Sequence, residues 1–160
     1  MRAATASPAL DQVATGLEEA IDLKVRDLLA SLRQLLVSRP LTFDSPNVPE
    51  LAGIYAIYDG GEYPCYIGQS RNLRRRLLVD HRKGNGKSSI FRRKLSRVRR
   101  LEDELAVTAY ICQKCAFRIL QLESERERLR LEHFATALLS PVLNGVMADR
   151  IDETISVRME

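Results

Sequence analysis

Two short apolar runs, residues 53–58 and 63–68, bracket the turn Asp59-Gly60-Gly61. Runs rich in isoleucine and tyrosine on either side of a glycine turn predict a β-hairpin. Pro64 falls near the start of the second run, where a strand tolerates proline. The hairpin constrains everything else. It sets Tyr55 and Tyr66 on paired strands, with the cluster Arg74-Arg75-Arg76 following close behind.

Helical patterns surround this hairpin. Residues 8–38 carry Leu10, Val13, Leu17, Ile21, Val25, Leu28, Leu29, Leu32, Leu35 and Leu36 at helical spacing. Gly16 weakens that helix, and a break is expected near Asp22. Arg39-Pro40, Ser45-Pro46 and Pro49 read as a linker. Residues 72–81 predict a helix capped by Asn72 or Ser70, residues 83–87 a basic loop, and residues 88–101 a second helix. Residues 105–112 and 117–122 read as two strands joined by a short turn. A helix over residues 123–139 ends at Pro141. Residues 1–7 are expected to be disordered, and the tail from 146 to 160 shows no clear pattern. The chain therefore divides into an arm with its linker, residues 1–45, and a compact domain with a short tail, residues 46–160. The arm is read as packing on that domain or pairing with a second copy of itself.

Charge narrows the function. Residues 71–100 hold thirteen lysines and arginines against one acid, Asp80, so the remainder of the chain is net acidic. Solvated helical faces usually mix signs, and a single-sign zone is the footprint of a polyanion partner. Arg71, Arg74, Arg75, Arg82, Lys83, Lys87, Arg92, Arg93 and Lys94 are the expected phosphate-binding residues. No run approaches membrane-span length and no apolar signal core appears, so a cytoplasmic protein without a membrane partner is expected. Three cysteines, an odd count, argue against a secreted disulfide framework. Cys112 and Cys115 have the spacing of half a zinc site, but no second half accompanies them; packing in a hairpin turn is the preferred reading.

Gly53-Ile54-Tyr55 and Tyr66-Ile67-Gly68, with Arg76 ten positions after Tyr66 and Glu132, Pro141 and Asn144 downstream, resemble the signature of the GIY-YIG nuclease superfamily. The resemblance covers about residues 52–145 and leaves out the arm. It implies an α+β fold, a small three-stranded antiparallel sheet flanked by helices with the site on the sheet. It also implies one divalent metal, Mg²⁺ or Mn²⁺, and hydrolysis of a nucleic-acid phosphodiester, with DNA as the expected partner.

The residue types suit that chemistry. A water must lose a proton, an anionic phosphorane must be stabilised, and an alkoxide must leave. Tyr66 is the candidate base, although ionising a phenol of pKa near 10 at neutral pH costs about 4 kcal/mol. Arg76 offsets that cost and can donate two parallel hydrogen bonds to phosphate. Tyr55 would orient the water or a phosphate oxygen; the sequence does not divide the roles between the two phenols. Glu132 offers a hard oxygen to the metal, and Asn144 a hydrogen bond that holds the site together. His81 stands five positions after Arg76, where four is a common spacing, so a proton-relay role and a surface role both stay open. Gln69, where relatives often carry lysine or serine, is expected to alter the hydrogen bonding around Tyr66. The rival readings are a binding module of nuclease ancestry without cleavage, and an assembly protein led by the arm.

Overall fold

The hairpin forms, but its second strand starts at Tyr66, and Tyr63, Pro64 and Cys65 lie in the connection instead of in the strand. In the computed structural model, which describes residues 8–145, β2 (Gly53–Asp59) pairs antiparallel with β3 (Tyr66–Ser70). Gly60 takes φ +72° in the turn, a conformation that favours glycine. The expectations for residues 1–7 and for the tail lie outside the described residues. On its other side β2 pairs antiparallel with β4 (Cys115–Gln121), and the two-residue β1 (Leu41–Thr42) pairs with β4. The sheet is four-stranded in the order β1-β4-β2-β3, one strand more than the resemblance implies. The extra strand comes from the expected linker. That linker is part of the packed unit, since Phe43 and Val48 just beyond β1 are buried in the core.

Strand alternation sorts the side chains onto two faces. One face carries Tyr55, Ile57, Tyr66 and Phe117, covered by Leu73, Leu77, Phe91, Leu95, Val107 and Ile111. The other carries Ile54, Ala56 and Ile67, covered by Leu32 and Leu35 of α1 (Pro8–Val37) and by Leu131 and Ala135 of α4 (Glu125–Leu139). Each fully buried aliphatic or aromatic side chain contributes about 1.5–3 kcal/mol, so the paired cores hold the sheet between two layers of helix. Helix α1 runs without the expected break near Asp22. Its C-terminal half packs on the sheet, whereas Leu17 and Ile21 remain 60% and 51% exposed.

Residues 105–112 are the clearest departure from the sequence reading. They lie in a helix, α3 (Glu104–Lys114), rather than a strand. Val107, Thr108, Tyr110 and Ile111 have the β-branched and aromatic character of a strand. Two local facts override it. The Asp103 carboxylate accepts the Ala106 N–H at 2.7 Å and caps the helix. Val107 and Ile111, four apart, both drop into the core from one helical face. Cys112 and Cys115 therefore stand at a helix-to-strand junction, not in a hairpin turn.

Candidate active site

Tyr55 occupies the middle of β2, directly opposite Gly68 on β3. Its ring lies over that glycine: a Cβ at position 68 would sit 2.5 Å from the Tyr55 hydroxyl. A Cβ at Gly53 would collide with the Leu120 carbonyl and come within 2.7 Å of a Leu73 methyl. Both glycines of the two tripeptides are thus demanded by close approach. Tyr66 stacks beside Tyr55 with ring centroids 6.3 Å apart, and the His81 and Phe91 rings close the cluster at its edges.

What brings His81 into this cluster is an unusual helix. Asn72 caps the turn by accepting the Arg75 N–H at 2.9 Å, and residues Arg75–His81 then wind as a π-helix. The Arg82 N–H reaches back five residues to the Leu77 carbonyl at 3.0 Å. In an α-helix, positions five apart point about 140° away from each other. The wider π turn stacks them, and such turns recur at functional sites. The five-residue interval therefore puts Arg76 and His81 on the same phenol. Arg76 Nε donates to the Tyr55 hydroxyl at 3.3 Å, and His81 Nε2 lies 2.7 Å from the same oxygen. The Arg76 Nη1 also approaches Asp80 at 3.5 Å.

The electrostatics follow from burial. His81 is fully buried, and desolvation, reinforced by the guanidiniums of Arg76 and Arg92, holds its pKa well below 6.5, so the imidazole is neutral. Burial likewise raises the pKa of Tyr55 and of Tyr66, while Arg76 pulls both back down. Tyr66 is the slightly more accessible phenol, at 8% exposure against 1% for Tyr55.

Glu132 lies on α4, a helix that packs against the opposite face of the sheet and contacts β3, the edge strand. From there its charge is felt by Tyr55, Tyr66 and Arg76. Burial raises the Glu132 carboxyl above its usual range, opposed by His133 and Arg76. Asn144 sits across the open edge of β3. Its side-chain oxygen accepts the Ile67 N–H at 2.7 Å and its amide donates to the Ile67 carbonyl at 2.6 Å. A single side chain thus takes the place of a missing neighbouring strand and secures the residue beside Tyr66.

Among the described residues, no group of three or more His, Cys, Asp or Glu side chains is placed to hold a metal ion. Glu132 stands as a single carboxylate. That donor set suits magnesium, which keeps several waters and takes one or two carboxylates together with substrate phosphate. Cys65, Cys112 and Cys115 are free thiols, and burial pushes the Cys65 thiol up to about 12.

The expected phosphate-binding cations separate into distinct environments. Arg75, Lys83, Lys87 and Arg93 are exposed. Arg71 is paired with Glu125 at 3.0 Å, Arg82 with Asp44 at 2.6 Å, and Arg74 donates to the Pro46 and Val48 carbonyls. Lys94 donates to the Gly145 carbonyl at 3.1 Å. Arg92 must be removed from the set. It is 1% exposed, bonded to Glu104 at 2.6 Å, and donates to the carbonyls of His81, Arg82 and Glu104. The charge run concealed this role because its partner lies on another helix. Gln69 bonds the buried Arg128 at 3.2 Å rather than the tyrosines. Ser89 went unrecognised in the sequence: its hydroxyl lies 2.7 Å from His81 Nδ1 and caps α2 (Ile90–Arg99). The serine pair just before the apolar Ile90-Phe91 was the available signal.

No protein-family model matches the chain, and no curated protein does. Solved structures similar to it are GIY-YIG endonuclease domains. One is the GIY-YIG N-terminal endonuclease domain of UvrC from Thermotoga maritima bound to its catalytic magnesium, 21% identical, with 72% of this chain and 97% of that one covered at a TM-score of 0.40. Another is a tyrosine-to-phenylalanine mutant of that domain bound to its catalytic divalent cation, 20% identical, with 62% and 88% covered at a TM-score of 0.38. With overlays this loose, what the site can do follows from the side chains of this chain itself.

Proposed function

We propose that this chain is a metal-dependent endonuclease of the GIY-YIG type that hydrolyses DNA phosphodiester bonds. The observation supporting this reading is the convergence of Tyr55, Tyr66, Arg76 and His81 in one phenol cluster.

Arg76 binds the scissile phosphate with its guanidinium and strengthens its hold as negative charge grows on the phosphorane. The phenols orient the attacking water and take its proton, helped by the cation beside them. Glu132 would hold Mg²⁺ or Mn²⁺, which when bound neutralises the leaving oxygen. Asn144 keeps β3 in line, so that the two phenols stay in register. Arg75, Lys83, Lys87 and Arg93 grip the phosphate backbone, which gives affinity and salt dependence rather than sequence reading. The exposed stripe of α1 around Leu17 and Ile21 would pair with a second copy. Among the described residues no helix is long and apolar enough to cross a membrane, and we read the protein as cytoplasmic.

A plasmid-nicking assay with added Mg²⁺ tests the reading. Arg76→Ala should slow cleavage about 10²-fold or more, the cost of removing one donor to a developing anion. Tyr66→Phe and Glu132→Gln should each also cut poorly. Cleavage that survives all three substitutions would remove the site assignment.

A further inference from the structure

Ser89 lies outside the phenol cluster, yet it decides which ring nitrogen of His81 carries the proton. Its hydroxyl is completely buried. Among the described residues its oxygen has two partners, the Arg92 N–H at 3.2 Å and His81 Nδ1 at 2.7 Å. The first is a donor, so Ser89 accepts there. A serine hydroxyl has one proton to give. Were Nδ1 also to donate, that proton would be left buried with no acceptor, an arrangement folded proteins avoid. The arrangement that satisfies the fully buried Ser89 hydroxyl has it donating to an unprotonated Nδ1. The neutral ring then carries its proton on Nε2, aimed at the Tyr55 oxygen 2.7 Å away. Arg76 Nε already donates to that oxygen. Tyr55 therefore accepts two hydrogen bonds, an environment that favours the ionised form of a phenol and turns its own proton away from His81.

We propose that Ser89 is a positioning residue: by donating to Nδ1 it holds His81 in the Nε2–H tautomer, so that imidazole and guanidinium together present two donors to the Tyr55 oxygen. The inference rests on the nuclease reading only for its effect on catalysis. Three substitutions separate this role from helix capping. Ser89→Thr keeps both the cap and the donor. Ser89→Asp keeps the cap, since a carboxylate accepts the Arg92 N–H, but cannot donate. Ser89→Ala loses both.

Long-range ¹⁵N–¹H correlation spectra of histidine-labelled full-length protein report the tautomer directly, with no need for activity. Wild type and Ser89→Thr should show Nε2–H. Ser89→Asp should move the proton to Nδ1 and, with the fold intact by circular dichroism, slow plasmid cleavage by about 10²-fold or more, as misplacing the tautomer of a working histidine does. Wild-type protein found as Nδ1–H overturns the inference, as does Ser89→Asp retaining Nε2–H. A shifted tautomer with undiminished cleavage overturns the catalytic part. Should the wild-type protein cut no DNA, the nuclease reading falls, and the spectra still decide what Ser89 does.

Discussion

Acid should unfold this protein in a pH window set by His81. The ring is fully buried, both nitrogens lie 2.7 Å from neutral hydroxyls, and two guanidiniums oppose a positive charge on it. The folded state therefore keeps it neutral well below the ordinary value of 6.5, while the unfolded chain takes up a proton near that value. Below pH 6.5 the unfolded state binds the extra proton, so stability falls as pH falls, until the folded pKa is reached. About one unit below the ordinary value the loss is on the order of 1 kcal/mol. Glu104, held low by its bonds to Arg92, adds a loss of the same sign only at more acid pH. Glu132, raised by burial, acts with the opposite sign. His81→Gln isolates the imidazole, because an amide can bond on both sides and does not titrate. Urea unfolding followed by circular dichroism at pH 7.5 and pH 5.5 should show the wild type losing on the order of 1 kcal/mol more than the variant. Equal losses in the two proteins would refute the argument that burial and charge hold this ring neutral.

Two further outcomes follow from contacts at the hairpin. Gly68→Ala puts a methyl group 2.5 Å from the Tyr55 hydroxyl, which Arg76 and His81 hold from the other side. Cleavage should drop about 10²-fold with the fold retained, and wild-type kinetics in this variant would show that the phenol's position is not critical. Asn144→Leu removes both bonds to Ile67 and should lower unfolding free energy by about 1–3 kcal/mol in urea titrations; an unchanged midpoint would mean that the β3 edge needs no clamp.

The hairpin and the position of its two phenols were legible in the sequence because they depend on short-range rules: a glycine turn, apolar runs and the sparing use of proline. Helix α3 was not, because strand-like side chains outweighed a single capping aspartate until the core claimed Val107 and Ile111. Arg92 read as one more surface cation, since nothing local reveals that Glu104, on the next helix, completes its bonding. The role of His81 hinged on helix type. No residue preference distinguishes a π turn from an α turn over residues 75–81, and only the packing of Leu77 and His81 beneath the sheet fixes the wider coil. Strand β1 went unread because two residues are too short to leave a pattern.

The wide turn between Arg76 and His81 bears on how such chains are recognised. A search pattern that insists on one fixed interval between guanidinium and imidazole would pass over this chain, although both groups reach the same oxygen. A five-residue interval reaches one oxygen here only because the coil is loosened; a regular α turn would point the two groups apart. The apposition of phenol and glycine across the hairpin has no such slack. A one-residue slip there would send Tyr55 through to the far side of the sheet.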